Sequence, residues 1–272
     1  MYSSTSLRTG PLIDTHAHLD DIENLDPAIA RAREGGLIAI IAIGVDYESN
    51  NRVLEIAERY RSLVFPALGC HPGELRAAET ERNLQFIEDN VERAVGIGEI
   101  GLDYHKRVTS KASKDTQKQV LKDVLSIAKR YAKPALIHSR YSWRDCLALV
   151  QELGVERAVF HWYSGPMSVL HDLIRQGFFA SATLAAEYHE GHRRAISETP
   201  CDNLLLETDS PVVYRWGTEL AHPSEPADVT RVLEAVAKLK GVERGVVAQR
   251  TTENALTLFG LSNQLFPIPT HE

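Results

Sequence analysis

The chain has 272 residues, 43% hydrophobic and 25% charged, which is ordinary for a soluble globular protein and enough to bury a large core in one domain. Its formal net charge of −7 argues against a protein that holds nucleic acid through a broad basic surface, because such binding depends on many phosphate contacts. Any phosphate ligand must therefore be bound locally.

The cysteines and apolar runs bear on the cellular compartment. The three cysteines, Cys70, Cys146 and Cys201, are widely spaced, and no two of them form a Cys-x-x-Cys motif. This spacing argues against a disulfide framework and against a cysteine-based zinc site. The longest apolar run, 37–43, is too short to cross a bilayer, and residues 1–10 lack the apolar core of a signal peptide. We therefore expect no export, no membrane span and a reducing cytoplasm.

Apolar runs rich in β-branched residues alternate along the chain with amphipathic stretches. Eight such runs predict strands: 12–13, 37–45, 63–68, 94–100, 134–137, 158–160, 177–183 and 203–206. The amphipathic stretches predict helices: 27–34, 49–61, 79–92, 113–131, 141–153, 166–176, 185–198, 226–240 and 245–258. In 113–131, for example, Val120, Val124 and Ile127 recur at helical spacing.

This regular alternation, with strands that are apolar on both faces, predicts a single-domain (β/α)8 TIM barrel over 12–261. A doubly wound open sheet is the alternative, and it is disfavoured because no Gly-rich phosphate loop follows the first strand. Residues 1–11 are predicted to be a polar N-terminal segment and residues 262–272 a C-terminal tail.

Two histidines, one residue apart, follow the first apolar run. On an extended backbone His16 and His18 point to the same side and can bind one cation, although a surface pair on a loop is the alternative. In a TIM barrel the active site lies at the carboxyl ends of the strands. Those ends carry His16, His18, His71, Glu99, His138, His161 and Asp209. We expect them to meet at one mouth, where four histidines, Glu99 and Asp209 can bind one or two divalent cations in a site open to water, with a carboxylate bridging.

Several short motifs, taken together and in this order, resemble the TatD family of metal-dependent hydrolases, in the amidohydrolase-type superfamily. They are the run around His16 and His18, Gly-Glu-Ile-Gly-Leu-Asp-Tyr at 98–104, Ile-His-Ser-Arg at 137–140, His-Trp-Tyr-Ser-Gly at 161–165, Glu-Thr-Asp-Ser-Pro at 207–211 and Thr-Thr-Glu-Asn-Ala at 251–255. The resemblance covers about 12–261 and implies a (β/α)8 barrel, one or two divalent metals and deoxyribonuclease activity.

The resemblance also implies a division of the ligands between two metals. One metal would be held by His16, His18, Glu99 and Asp209, and the second by Glu99, His138 and His161, with Glu99 bridging. Three stretches depart from the family pattern. Gly73 stands where a second histidine often follows His-Pro, Tyr141 follows Arg140 where an acid is common, and the segment 212–224 does not align, which makes it a candidate determinant of specificity.

The ligand set predicts hydrolysis. A divalent cation lowers the pKa of bound water from 15.7 toward roughly 7, and a second cation polarises the oxygen under attack. We expect the resulting hydroxide to attack a phosphodiester, with Asp209 accepting the proton and Glu99 bridging the metals. His71 has no metal role here and is expected to hydrogen-bond the phosphate or protonate the leaving oxygen; a histidine that supports its own loop is the alternative.

Four residues are candidate substrate contacts. Arg140 matches the paired oxygens of a phosphate, with a salt bridge to a neighbouring acid as the alternative. Trp162 and Tyr214 are candidates to stack on an unpaired base, with packing at the barrel rim as the alternative. Ser164, in the same motif as Trp162, is the fourth.

The predicted function is a 3′–5′ exonuclease acting on single-stranded DNA. An acidic protein can hold one terminal phosphate through metals more readily than a long duplex through its surface. Mg2+, Mn2+ and Zn2+ all fit a mixture of imidazole and carboxylate ligands. A hydrolase of lactones, esters, aminoacyl-tRNA or amides is the alternative, because fold does not fix substrate. A non-catalytic metal-binding barrel is disfavoured because every ligand position is filled.

Overall fold

A computed structural model describes residues 10–265, apart from the side chain of Asn263. Eight parallel strands form one sheet whose order follows the chain. They are β1 (Leu12–Ala17), β2 (Leu37–Ile43), β3 (Val64–Cys70), β4 (Gly96–Asp103), β5 (Ala135–Arg140), β6 (Ala158–Phe160), β7 (Phe179–Ala182) and β8 (Leu204–Leu206). Most of the predicted N-terminal segment and C-terminal tail, 1–9 and 266–272, lies outside the described residues.

Each strand is followed by at least one helix. The helices are α1 (Leu25–Glu34), α2 (Tyr47–Arg59), α3 (Ala77–Asn90), α4 (Lys106–Thr109), α5 (Lys114–Arg130), α6 (Trp143–Glu152), α7 (Met167–Arg175), α8 (Glu190–Glu198), α9 (Val229–Lys240), α10 (Arg244–Phe259) and α11 (Ser262–Leu265). Local sequence fixes several of their starts. Asp46 and Ser49 form a capping box at α2, and the Ser113 hydroxyl accepts a hydrogen bond from the Thr116 N–H at α5.

The sheet closes where the first strand meets the segment that follows the last. The Thr15 hydroxyl donates to the Leu206 carbonyl at 3.0 Å, and the His18 N–H donates to the Ser210 carbonyl at 2.7 Å. Ala17 and Ser210 form a parallel bridge. The predicted (β/α)8 barrel is confirmed, and its closure brings 208–210 beside β1.

Apolar side chains fill the barrel away from its mouth. Ile13, Ile41, Phe65 and Leu136 belong to one buried cluster with Leu258 and Phe259 of α10. A second, larger cluster packs the outward side chains of the strands against the helices. Since apolar residues occupy the interior and the outer layer, the polar side chains at the carboxyl ends of the strands form a separate polar zone.

Several local features were not predicted. Helix α4 follows β4, and the 212–224 segment contains a short antiparallel hairpin of β9 (Val213–Tyr214) and β10 (His222–Pro223). The stretch 185–198 was predicted as one helix, which is wrong: a 3-10 turn, Leu184–Glu187, precedes α8. The break occurs because His189 caps α8 by accepting a hydrogen bond from the His192 N–H. Within 10–265, none of the helices is both long and apolar enough to span a bilayer.

Candidate metal centre

Six side chains that the sequence predicts as ligands converge at the mouth of the barrel. They come from β1, β4 and β5 and from residues just beyond β1, β6 and β8: His16, His18, Glu99, His138, His161 and Asp209. Four of the six are buried, and His18 and His138 are only partly exposed. The structure therefore brings together residues that lie up to 193 positions apart in the chain (209 − 16).

The side chains of Glu99 and Asp209 each place a donor oxygen close to the nitrogens of His16 and His18. Nε2 of His16 lies 3.3 Å from Nε2 of His18, 3.6 Å from Oε2 of Glu99 and 3.5 Å from Oδ1 of Asp209. Nε2 of His18 lies 3.6 Å and 3.3 Å from the same two oxygens. Donors 3.3–3.6 Å apart can each lie about 2.0–2.2 Å from one shared cation, which is the usual Zn–N and Zn–O distance, and the donors of His16, His18 and Glu99 form one mutually close group. These residues fit a divalent metal.

The other oxygen of Glu99 faces a second donor group. Oε1 lies 2.6 Å from Nδ1 of His138 and 2.8 Å from Nε2 of His161, and these two nitrogens are 3.3 Å apart. The Glu99 carboxylate is therefore shared, with Oε2 toward His16 and His18 and Oε1 toward His138 and His161. A carboxylate placed this way is able to bridge two cations.

The buried acids and histidines of this centre shift one another's pKa values. Burial opposes ionisation of Glu99, but the charge of His161 and a hydrogen bond with His138 hold the pKa of this carboxyl well below its usual range. Burial also disfavours the charged form of His18, yet Asp209 and Glu99 outweigh it and raise the pKa of His18 to about 9. The metal-free centre thus retains protons on imidazoles that would otherwise bind a cation.

We expect metal binding to release protons at pH 7. Metal ligands must be deprotonated, so protons compete with the metal below the raised pKa of His18, and affinity should fall as the pH drops below about 9. Calorimetric titration with Zn2+ in two buffers of different ionisation enthalpy measures the number released. His18→Ala should release fewer protons. Identical heats in the two buffers would contradict the expectation.

His71 presents an N–H group to the metal centre, not a nitrogen lone pair that could bind a metal. Its Nδ1 accepts a hydrogen bond from the Gly73 N–H at 3.0 Å, so the neutral ring carries its proton on Nε2, which lies 3.7 Å from Oε1 of Glu99. Burial is the main reason that the pKa of His71 is lowered to about 4. His71 is near enough to Glu99 and His138 to complete a metal-binding trio, but a protonated Nε2 cannot bind a metal.

The full length of the barrel matches one family. A model described as TatD related DNase covers residues 13–260. The chain belongs to the TatD family.

Relatives of this TatD protein are similar over most of their lengths. "Deoxyribonuclease TATDN3" from Homo sapiens is 31% identical over 261 residues, covering 91% of this chain and 94% of the relative. "Uncharacterized metal-dependent hydrolase YabD" from Bacillus subtilis is 32% identical over 265 residues, covering 92% and 100%. The crystal structure of YjjV, a TatD homologue from Escherichia coli, has a TM-score of 0.82 at 28% identity, covering 92% and 98%. The predictions of the family and of a metal-dependent, ester-cleaving hydrolase are confirmed.

A close backbone contact holds the centre of the TatD barrel. A Cβ atom on Gly69 would lie 2.3 Å from the backbone nitrogen of Glu99 and 2.2 Å from the Gly44 carbonyl, so only glycine fits here. The buried side chain of Asn50 receives a hydrogen bond from the Gly69 N–H and donates one to the Gly69 carbonyl, and Asn83 donates a second to that carbonyl. These amides fix the strand that leads to His71.

Asp14 connects β1 to the segment after β8 through hydrogen bonds. Its carboxyl oxygens, in a group whose pKa burial raises to about 8, accept hydrogen bonds from the His16 N–H at 3.3 Å, the Thr208 N–H at 2.9 Å and the Thr208 hydroxyl at 2.6 Å. All of these groups are buried. Asp14 therefore sets the relative positions of His16 and Asp209, although it does not face the ligand cluster.

We expect Asp14→Ala to lower the free energy of unfolding by about 3 kcal/mol, because two buried N–H groups lose their acceptor. Urea denaturation of the metal-free proteins measures the change. Asp21→Ala, which removes an exposed carboxylate, should change the free energy by less than about 0.5 kcal/mol. Equal stabilities for the two variants would contradict the role given to Asp14.

Two carboxylates that the sequence did not single out as ligands contact ligand histidines. Oδ2 of Asp103, at the end of β4, lies 3.3 Å from Nε2 of His138. Oε1 of Glu207 accepts a hydrogen bond from the Trp162 N–H at 2.9 Å and lies 3.5 Å from Nδ1 of His161. Such outer contacts orient metal-binding imidazoles. The role of Asp103 was missed, although its position at a strand end was a usable signal.

The candidate substrate contacts have different surroundings. Arg140 is exposed and forms no ion pair with any other residue in 10–265. The alternative role of Arg140, a salt bridge to a neighbouring acid, is therefore not seen among these residues. Trp162 and Ser164 are partly buried. Tyr214 is 3% exposed, its hydroxyl donates to the Thr208 carbonyl and its ring lies 5.3 Å from that of Trp162. This geometry gives Tyr214 a packing role, since its faces are not open to a base.

Proposed function

We propose that this TatD-family enzyme cleaves phosphodiester bonds at the end of single-stranded DNA, working from 3′ to 5′, with one or two divalent ions chosen from Mg2+, Mn2+ and Zn2+. The observation that carries the proposal is the double donor set that shares Glu99. The bound ions would supply an activated water and would polarise the phosphoryl oxygen. His16, His18, Glu99 and Asp209 would hold one ion, and Glu99, His138 and His161 the other.

The protein's own side chains would accept the proton of the attacking water and position the phosphate. Asp209 is an ionised carboxylate, because a hydrogen bond with His18 and the charges of His16 and His161 outweigh burial and lower its pKa. Its Oδ1 faces His16 and His18, which leaves Oδ2 to accept a proton. His71, neutral near pH 7, would donate from Nε2 to a phosphate oxygen. Since its pKa is lowered to about 4, a hydrogen bond fits it better than proton delivery to the leaving oxygen.

The end of a DNA strand suits the barrel mouth better than the interior of a DNA duplex does. The protein carries a net charge of −7, so an extended duplex would be repelled over most of the surface. One terminal phosphodiester can be held by the metals and by Arg140, which is exposed and free to form a paired contact with phosphate oxygens. The local positive charge of the centre replaces a broad basic surface.

The test is cleavage of labelled oligonucleotides by the purified protein. Single-stranded DNA labelled at either end is incubated with Mg2+, Mn2+ or Zn2+, and products are resolved by length. We expect progressive shortening from the 3′ end, faster than for a duplex or for RNA, and complete inhibition by a chelator. Intact DNA together with turnover of a lactone, ester or amide in a parallel panel would overturn the proposal and favour the other hydrolase class.

We also propose a reducing compartment, the cytoplasm, for this enzyme. All three cysteines are unpaired thiols, and Cys70 and Cys146 are buried. Burial raises the pKa of the Cys70 thiol to about 11, which makes it a poor nucleophile despite its position beside His71.

A further inference from the structure

A group of exposed cations lies beside the barrel mouth. Lys106 and Arg107 of α4, Lys111 after it and Arg140 at the end of β5 are all exposed, and we call these four residues the basic rim. None of them forms an ion pair within 10–265. This is unusual for a chain of net charge −7, in which many surface cations, such as Lys129 with Glu156 at 2.9 Å, are paired.

The basic rim is attached directly to the metal centre. The Tyr104 N–H donates to the Arg140 carbonyl at 2.8 Å, which joins the segment after β4 to the end of β5. The same Asp103 carboxylate that contacts His138 accepts a hydrogen bond from the His105 N–H at 2.7 Å. One carboxylate thus links a proposed metal ligand, His138, to His105, the residue just before Lys106 of the rim.

An exposed aromatic ring accompanies these charges. Tyr141 is 60% exposed, and its φ of 58° is in the left-handed region, which costs a non-glycine residue about 1–2 kcal/mol. Its ring lies nearly parallel to that of His105, with the centroids 6.3 Å apart, and the Arg140 guanidinium is 6.0 Å from its centre. The fold therefore holds a large ring in solvent, in a strained backbone conformation, beside the unpaired guanidinium of Arg140.

We propose that the basic rim and Tyr141 form the track for the part of a single DNA strand that lies outside the metal centre, with phosphates paired to the rim and a base stacked on Tyr141. This extends the proposed function of the same site. Unpaired cations next to an open aromatic face match a single strand, because charge contacts follow its backbone and any base can stack on a ring. A duplex keeps its bases stacked on one another and offers none to Tyr141.

Binding, measured apart from cleavage, tests the track. A fluorescein-labelled phosphorothioate oligonucleotide, which resists hydrolysis, is titrated with metal-loaded protein over a series of KCl concentrations. For the triple variant K106A/R107A/K111A we expect the slope of log affinity against log salt to fall by about 2, since each phosphate contact on a single strand contributes about 0.7. Affinity at low salt should drop at least about tenfold.

Stacking and charge are separated by two further variants. Y141A should lose about tenfold in affinity with the salt slope unchanged, and Y141F should retain wild-type affinity, because only the ring is needed. K129A is the matched control: it removes one cation from the far end of α5, where Lys129 is paired with Glu156, and should bind as wild type does.

The results distinguish the two proposals. Suppose that the triple variant shows the expected fall in the slope of log affinity against log salt, but that the wild type leaves ordinary DNA intact. The nuclease proposal then fails and the track stands. If the wild type cleaves DNA while the triple variant keeps the wild-type slope and affinity, the track is overturned and the nuclease stands. Equal losses for K129A and the rim variants would also overturn it, since charge alone would then explain the binding.

Discussion

Glu99→Gln is expected to abolish hydrolysis. Both oxygens of this carboxylate face imidazoles, and glutamine would replace one of them with an NH2 group that cannot bind a cation. We expect turnover to fall at least about a thousandfold, equivalent to about 4 kcal/mol of transition-state stabilisation. Elemental analysis after dialysis should find less than half the metal of the wild type.

Glu92→Gln is the matched control for Glu99→Gln. Glu92 is largely exposed, and within 10–265 its one ion-pair partner is Lys133, at 3.9 Å, so its amide should leave metal content and turnover unchanged. Circular dichroism would show that both variants remain folded. A Glu99→Gln protein that keeps full activity would refute the shared role of this carboxylate.

Asp209→Asn is expected to separate binding from catalysis. The amide keeps one oxygen near His18, where Oδ1 lies 3.3 Å away, but it carries no negative charge and so should hold the metal there more weakly, and it replaces the proposed proton acceptor with an NH2 group. Since proton transfer by a positioned side chain contributes about 10²–10⁴-fold, kcat should fall by at least about a hundredfold. The group of Glu99, His138 and His161 stays intact, so about one metal equivalent should remain.

Asp202→Asn provides the comparison for Asp209→Asn, because Asp202 is exposed and, among the described residues, forms an ion pair with Arg250 alone, at 3.6 Å. Its metal content and kcat should equal those of the wild type. Full retention of kcat by Asp209→Asn, at any metal concentration, would exclude this residue as the proton acceptor.

The strands and the six-residue cluster were predictable because both depend on patterns that the sequence displays directly. Alternating apolar runs give the barrel, and a barrel necessarily brings its strand ends together. For that reason His16 and Asp209 could be placed side by side from opposite ends of the chain. The family resemblance added the division of ligands between two metals.

Other features were hidden because they depend on side-chain direction. The sequence contains Gly73, but it does not show that its N–H meets Nδ1 of His71 and so fixes the position of that ring's proton. Tyr214 and Tyr141 are both tyrosines near strand ends, yet one is buried and the other is in solvent. The absence of ion pairs around Arg140 within the described chain depends on which acids lie near it in space.

The closure of the barrel at Ser210 affects when activity can arise during synthesis. The ribosome makes His16 and His18 early, but Asp209 emerges only after the eighth strand, and the bridge between Ala17 and Ser210 cannot form before then. A nascent or prematurely terminated polypeptide ending before this point would lack a complete donor set. Such fragments should be inactive as hydrolases, so the order of translation delays activity until the whole barrel has been made.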